Sequence, residues 1–381
     1  MDQKAFTNSS AGRLVRTLSG DAAFEPMPLP PKVEWTTSVV ASLARASAAL
    51  AHLQGLGSKF PNPQRLVRMF LRREAEASSR IEQTYARVRT MLLFEHLPEV
   101  AESSPSVRDV ENNFRILEEA FRVVRKRDLT LSDIRGLHAI LFRDVEHQPR
   151  NVGQFRQVQN WIGNSSRIEE ARYVPPPPTS VETLMRQLLD FVNRKDELPA
   201  LVRAAMAHYQ FEAIHAFEDG NGRIGRTLVL AQLYREKAIN EPLLNPSAKL
   251  ERNRREYYDC LLNVSQRGWW GEWIGLFCRS IADEADESVG KLRRLEELRE
   301  LYREKLGSAG HGARLLLLVD HLMGEPAATA KQVAKVFDIT PAAGQRMLEK
   351  LESLKIVREI TGKSRNRVWL ADAYLEVFSP E

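Results

Sequence analysis

His215, Phe217, Asp219, Gly220, Asn221, Gly222, Arg223 and Arg226 fall within twelve consecutive residues, bringing a base, an acid, two glycines and two arginines together. That set suits chemistry on a phosphorylated ligand. Glycines let a backbone approach phosphate oxygens and adopt left-handed conformations, and arginines three apart share a helix face from which both can reach a polyphosphate. Asp219 is a hard oxygen ligand for a magnesium ion shared with those phosphates. His215, with an ordinary pKa of about 6.5, accepts a hydroxyl proton at neutral pH. Phe217 is read as a core residue.

Two phosphate-loop patterns overlap these positions. Gly220, Gly222 and Gly225 satisfy G-x-G-x-x-G, and residues 220–227 are one Lys-to-Arg change short of a P-loop. Both loops must leave a buried strand. Here Leu201, Val202, Ala205, Met206 and Tyr209 recur at three- and four-residue spacing with Arg203, His208 and Gln210 between them, which predicts an amphipathic helix. A helix ending near Ile214, a glycine-bearing turn and a second helix carrying Leu228, Leu230, Leu233 and Tyr234 would aim backbone N–H groups and a positive helix end at one point.

The eight residues match H-x-F-x-[DE]-G-N-G-R-x-x-R at every specified position, and on them the chain resembles the Fic family of nucleotidyl transferases. The resemblance implies transfer of AMP from ATP to a hydroxyl side chain of a protein. It casts His215 as base, Asp219 as the magnesium ligand, and Gly220, Asn221, Gly222, Arg223 and Arg226 as the phosphate site. No cofactor beyond magnesium is implied. Upstream, Gly153 to Gly163 and Arg172 to Pro178 resemble the family's flap, so Val158, Gln159, Asn160, Trp161 and Ile162 are expected to dock the target. The residues themselves suggest two short extended runs around the polar turn Gly163-Asn164-Ser165-Ser166, a β-hairpin whose edge can pair with an extended peptide.

Ser78-Ser79-Arg80-Ile81-Glu82-Gln83 resembles the inhibitory [ST]-x-x-x-E-[GN] motif of relatives whose inhibitory helix precedes the core; Gln83 departs from the usual Gly or Asn. The resemblance implies that Glu82, with Ser78 in its motif, pairs with Arg226 and displaces the nucleotide γ-phosphate. A carboxylate in that place can also orient water for AMP removal. Taken singly, each of these residues has an ordinary explanation as a cap, a turn or surface charge. Taken as one constellation, a purely structural role leaves two arginines beside an acid and a base unexplained.

The elements that must position these residues read as mainly α: a Fic-type helical bundle with a short β-hairpin flap, plus a C-terminal winged helix domain. Residues 1–100 are expected to form a loose tail, a Pro-rich extended arm and a helical cap running through 36–53 and 62–93. Residues 101–285 form the catalytic core, 286–312 a charged linker helix with a glycine-rich hinge, and 313–381 the winged helix-turn-helix domain. In that last domain Thr340 caps a helix starting at Pro341; Gln345, Arg346, Lys363, Arg365 and Arg367 are candidate contacts. Glu349 and Glu352 on the same helix weigh against DNA, so DNA and protein contact both stay open.

The chain has 381 residues, 43% hydrophobic and 28% charged, with 55 Lys and Arg against 50 Asp and Glu, so charge alone implies no nucleic-acid partner. Two cysteines, no leader-like apolar run and no long apolar stretch predict a reduced cytoplasmic compartment and no membrane span. The histidines and cysteines form no zinc pattern. Helical surfaces and the C-terminal module predict a homodimer. The alternatives are predominant AMP removal, transfer of another phosphate-containing group, and a nucleotide-sensing DNA-binding regulator.

Overall fold

The computed structural model describes residues 1–7, 10–60, 63–97, 106–308 and 312–379. Contrary to the loose tail expected, the N-terminal residues form a 3₁₀ turn at Gln3–Ala5 and an antiparallel strand pair, β1 (Gly12–Arg16) with β2 (Ala22–Pro26), Leu14 opposite Phe24. The pair folds because Phe24 is buried between Phe6 and Tyr173, with ring centroids 5.3 and 6.1 Å away, and its N–H donates to the Val174 carbonyl at 2.9 Å. Strands this short, with mixed polarity, carry too little alternation to be read from sequence. The proline arm follows, held where Gln210 Nε2 donates to the Met27 carbonyl at 3.0 Å.

Helices α1 (Thr37–Gly57), α2 (Pro63–Ile81) and α3 (Val88–His96) form the cap. The single helical run expected over 62–93 is broken at Gln83, which has φ 62°. Its N–H donates to the Arg80 carbonyl and that of Thr84 to the Ser79 carbonyl, the paired bonds of a Schellman ending with Gln83 at the left-handed position. That position favours Gly or Asn, which accounts for the last letter of the inhibitory motif and leaves Gln83 strained by about 1 kcal/mol.

The core follows as α4 (Ser106–Val124), α5 (Leu131–Leu141), α6 (Pro178–Asn193), α7 (Ala200–Ile214), α8 (Asn221–Arg235), α9 (Ser247–Arg252), α10 (Arg254–Arg267) and α11 (Trp270–Ser308). α7 is not amphipathic as expected: it runs through the centre, buried on every side from Leu201 to Ile214 except at Glu212. Three of its polar residues find buried partners. Arg203 donates to the Phe191 carbonyl at 2.6 Å, His208 Nε2 meets Tyr257 Oη at 2.7 Å, and Tyr209 meets Ser265 at 2.9 Å. α11 runs unbroken across the boundary drawn at 285/286. The hinge drawn after it and the core boundary drawn at 100/101 reach into 309–311 and 98–105, outside the described residues.

The C-terminal domain comprises α12 (Ala313–Leu322), β3 (Ala327–Thr329), α13 (Ala330–Phe337), α14 (Pro341–Ser353), β4 (Arg358–Glu359), β5 (Val368–Leu370) and α15 (Asp372–Phe378), with strand order β3-β5-β4. Thr340 caps α14 by accepting from the Ala343 N–H, and Pro341 is its first residue, as its spacing predicted. The third strand and the last helix are additions to the expected helices and hairpin. This domain packs on α2: Phe70 meets Phe378 edge-on at 5.2 Å, Gly324 lies against the Arg65 carbonyl, and fully buried Arg72 bridges Glu95 at 2.5 Å and Glu325 at 3.2 Å. Among the described residues no helix is long and apolar enough to cross a membrane.

Candidate active site

The site is built where α7 stops. His215 caps that helix in a left-handed conformation (φ 49°, ψ 58°), and the chain turns through 216–219 to Gly220, whose φ of 81° starts α8. A Cβ at Gly220 would lie 2.8 Å from Leu141 Cδ2, so both conformation and space demand glycine. Asn221 closes the turn, accepting from the Phe217 N–H and donating to the Phe217 carbonyl, both at 2.9 Å. Its side chain is thus committed to the loop, which leaves its backbone amide as the group open to a ligand. The N–H groups of Asn221, Gly222 and Arg223 open the helix without intrahelical partners.

His138, which sequence reading did not single out, supports the loop from below. Its Nδ1 accepts from the Gly153 N–H at 2.8 Å, so Nε2 carries the proton and donates to the Asp219 carbonyl at 3.2 Å. The ring stacks on Phe217 at 4.1 Å, and burial lowers its pKa to about 4, keeping it neutral.

His215 Nδ1 lies 3.3 Å from the Glu212 carbonyl, a contact that assigns the proton to Nδ1 and leaves Nε2 as the acceptor. Burial, reinforced by Arg156, lowers its pKa to about 4, so the imidazole is neutral and basic in form at pH 7. Arg226, 1% exposed, donates from Nε to Ser78 Oγ at 2.9 Å and from Nη2 to Glu82 Oε1 at 2.7 Å. Burial alone would raise the Glu82 carboxyl; the charge and hydrogen bond of Arg226 outweigh it and hold the group below its ordinary value. A Cβ on Gly222 would sit 2.2 Å from Glu82 Oε1 and 2.8 Å from Arg226 Nη1, so the bare backbone of Gly222 makes room for this pair. Arg226 Nη1 has no hydrogen-bond partner among the described residues.

The two arginines diverge more than their spacing suggested. Arg226 reaches back to α2, whereas Arg223 Nη2 lies 3.4 Å from Asp219 Oδ2 with its guanidinium over the Phe142 ring at 5.2 Å. The Asp219 side chain is 65% exposed. Magnesium is commonly held by one or two carboxylates together with substrate phosphates. A single open carboxylate beside unpaired helix-end amides fits an ion shared with a nucleotide, and no cluster of three metal-binding side chains exists among the described residues.

A cavity of about 880 Å³ is lined by Glu82, His215, Asp219 and Gly222 and also by Arg254, Tyr258, Leu261 and Leu262 of α10. The Arg254 guanidinium lies 5.6 Å from the Tyr258 ring. An aromatic face with two leucines provides an apolar slot suited to a nucleobase. Sequence reading missed α10, whose Tyr257-Tyr258 pair looks like any half-buried helix.

Val158, Trp161 and Ile162 of the flap are exposed at 54, 36 and 38%. The flap is not the hairpin expected: one bridge, Ile162 with Tyr173, is its only ladder pair, and a 3₁₀ turn at Ile168–Glu170 fills the interval. The four prolines after Val174 have no N–H to continue a ladder. Side chains take over instead. Gln159 donates to the Pro175 carbonyl at 2.9 Å, Asn160 to the Phe217 carbonyl at 3.1 Å, and Trp161 Nε1 to the Ser165 carbonyl at 3.0 Å.

Sequence models of the Fic/DOC family, of the Fic/DOC family N-terminal region and of an HTH DNA binding domain match residues 128–233, 40–122 and 315–370 respectively. The chain is 32% identical over 169 residues to protein adenylyltransferase Fic of Drosophila grimshawi, covering 44% of this chain and 31% of that protein. It is 34% identical over 170 residues to the Aedes aegypti protein of the same name, covering 44% and 30%. The chain thus spans about a third of the length of the curated relatives it matches. In fold it resembles a Fic family protein from Desulfovibrio desulfuricans (TM-score 0.56, 18% identity, 90% of this chain and 98% of that one). It also resembles a Fic domain signaling protein from Bacteroides thetaiotaomicron (TM-score 0.50, 20% identity, 66% and 95%).

Proposed function

Because this chain is a Fic-domain protein with a C-terminal helix-turn-helix domain, we propose that it transfers AMP from ATP to a hydroxyl side chain of a protein and that Glu82 restrains it. The observation that carries this reading is that His215, neutral and with Nε2 as acceptor, lines one cavity together with Asp219 and with Gly222 in the first turn of α8. In the reaction the target oxygen bonds to the α-phosphorus, the bond to the β-phosphate oxygen breaks, and pyrophosphate leaves. His215 Nε2 takes the hydroxyl proton. The amides of Asn221 and Gly222, with Arg223 and Arg226, stabilise charge on the phosphates, and the slot at Tyr258 receives the base. Asp219 would hold magnesium, which when bound supplies neutralisation of phosphate charge. The flap residues 158–162 orient the target.

The restraint is supported by the Glu82–Arg226 pair at 2.7 Å, which occupies a donor that a terminal phosphate would need. The ionised Glu82 carboxylate also lines the cavity, which favours AMP removal with an oriented water as the second reading. For the C-terminal domain, DNA is the partner we favour, because the opposing acids are occupied. Glu349 accepts from Arg367 at 3.1 Å and Glu352 from Trp369 Nε1 at 3.0 Å, while Arg346 and Arg365 stay exposed.

The test is label transfer to protein from α-labelled and, separately, γ-labelled ATP with magnesium and cell extract, in wild type, Glu82→Gly and His215→Ala. Label arriving only from the α-position, raised by the first change and lost in the second, is the expected result. Label from the γ-position, or transfer retained in His215→Ala, overturns it.

A further inference from the structure

Arg156 is buried to 2% exposure, yet no carboxylate among the described residues pairs with it. Every donor of its side chain that is paired goes to a backbone carbonyl: Nε to His215 at 2.9 Å, Nη1 to Val158 at 3.3 Å, and Nη2 to Pro176 at 2.5 Å and Ile214 at 3.4 Å. Its own N–H donates to the Ala216 carbonyl at 2.9 Å. Two of those carbonyls end α7, where a cation complements the negative helix terminus. The other two stand at the beginning and the end of the flap. A buried cation with only carbonyl partners is expensive to desolvate. Burial lowers its pKa to about 10, which still leaves it charged at neutral pH.

We propose that Arg156 is a positioning residue for the protein acceptor, fixing both ends of the flap against the backbone of His215 so that a docked hydroxyl meets the base. The inference rests on the AMP-transfer reading for its consequence, though not for its geometry. One planar guanidinium holds the element that carries the base and the element that carries the target, and Arg156 is not among the residues that line the cavity. Lysine cannot substitute: an ammonium offers its donors from one point, whereas these carbonyls come from separate segments around a planar fork. The effect therefore belongs to the second substrate and leaves nucleotide binding alone.

Arg156→Lys and Arg156→Gln, each in the Glu82→Gly background, are measured three ways. Amide hydrogen exchange should accelerate in residues 158–176 and 211–216 and stay unchanged in 313–379. MgATP affinity by calorimetry should stay within about twofold. Single-turnover transfer of α-label from saturating MgATP to extract protein should fall roughly a hundredfold, the order expected when reacting groups lose register. Unchanged exchange in the flap, transfer by Arg156→Lys at the parent rate, or equal loosening of the C-terminal domain would overturn the proposal. If the Glu82→Gly parent itself labels nothing, the AMP-transfer reading fails, and the exchange and affinity data still decide whether Arg156 holds the flap.

Discussion

At the scale of the residue, His215 shows how burial sets chemistry. A histidine titrating at its ordinary value would be largely protonated in mildly acid medium. Here burial and the Arg156 charge depress it to about 4, against the smaller opposing pull of Glu82 and Asp219. Between about pH 4 and 6.5 the side chain therefore stays neutral where a free histidine would charge. The acid limb of kcat/KM for AMP transfer, which reports the free enzyme, should accordingly lie near pH 4 to 5 and not near 6.5. A pH–rate profile on Glu82→Gly checks this, the substitution removing a carboxylate whose charge acts on His215. A limb at 6.5 would mean that His215 is solvated or that another group is the base. His215, Asp219, Gly220, Gly222, Arg223 and Arg226 could be named as candidates from the sequence because one short segment holds them, and Glu82 because its segment resembles the inhibitory motif; the structure brings Glu82 to Arg226. Arg156 was not legible, because its role is defined by carbonyls from three separated segments, and carbonyls leave no trace in side-chain spacing.

At the scale of the element, α2 is the part whose ending matters. Its Schellman termination aims Glu82 at Arg226, and it places Gln83 at φ 62°, where a side chain is disfavoured. Gln83→Gly should stabilise the protein by about 1 kcal/mol, seen as a higher urea midpoint at unchanged slope. A lower midpoint would show that the Gln83 side chain makes a stabilising contact larger than its backbone strain. The helix existence was readable from its three- and four-residue apolar spacing; its last turn was not, because Gln83 lacks the glycine or asparagine that marks a stop. α7 erred in the other direction. Its polar residues read as a wet face, and only the tertiary partners of Arg203, His208 and Tyr209 show that a central helix can carry them buried.

At the scale of the whole molecule, α2 belongs to two domains at once. Arg72 is fully buried where the cap, α3 and the C-terminal domain meet, and it neutralises Glu95 and Glu325 together. Arg72→Ala should cost about 2 to 3 kcal/mol, at the low end for a broken buried pair because both glutamates remain a quarter exposed. In urea, probes in the core and in the C-terminal domain should shift their midpoints together. A shift confined to the C-terminal probe would show that the two parts unfold independently.

The geometry of α2 also sets a mechanical ratio. Seventeen residues separate Arg65, where Gly324 of the C-terminal domain rests, from Glu82, and at 1.5 Å per residue that is an arm of about 25 Å. A tilt of about 5° at the Arg65 end carries the far end roughly 2 Å, enough to undo a hydrogen bond of ordinary length. Any such tilt of α2 would therefore be felt first at the Glu82–Arg226 pair, 2.7 Å long at the far end of the arm.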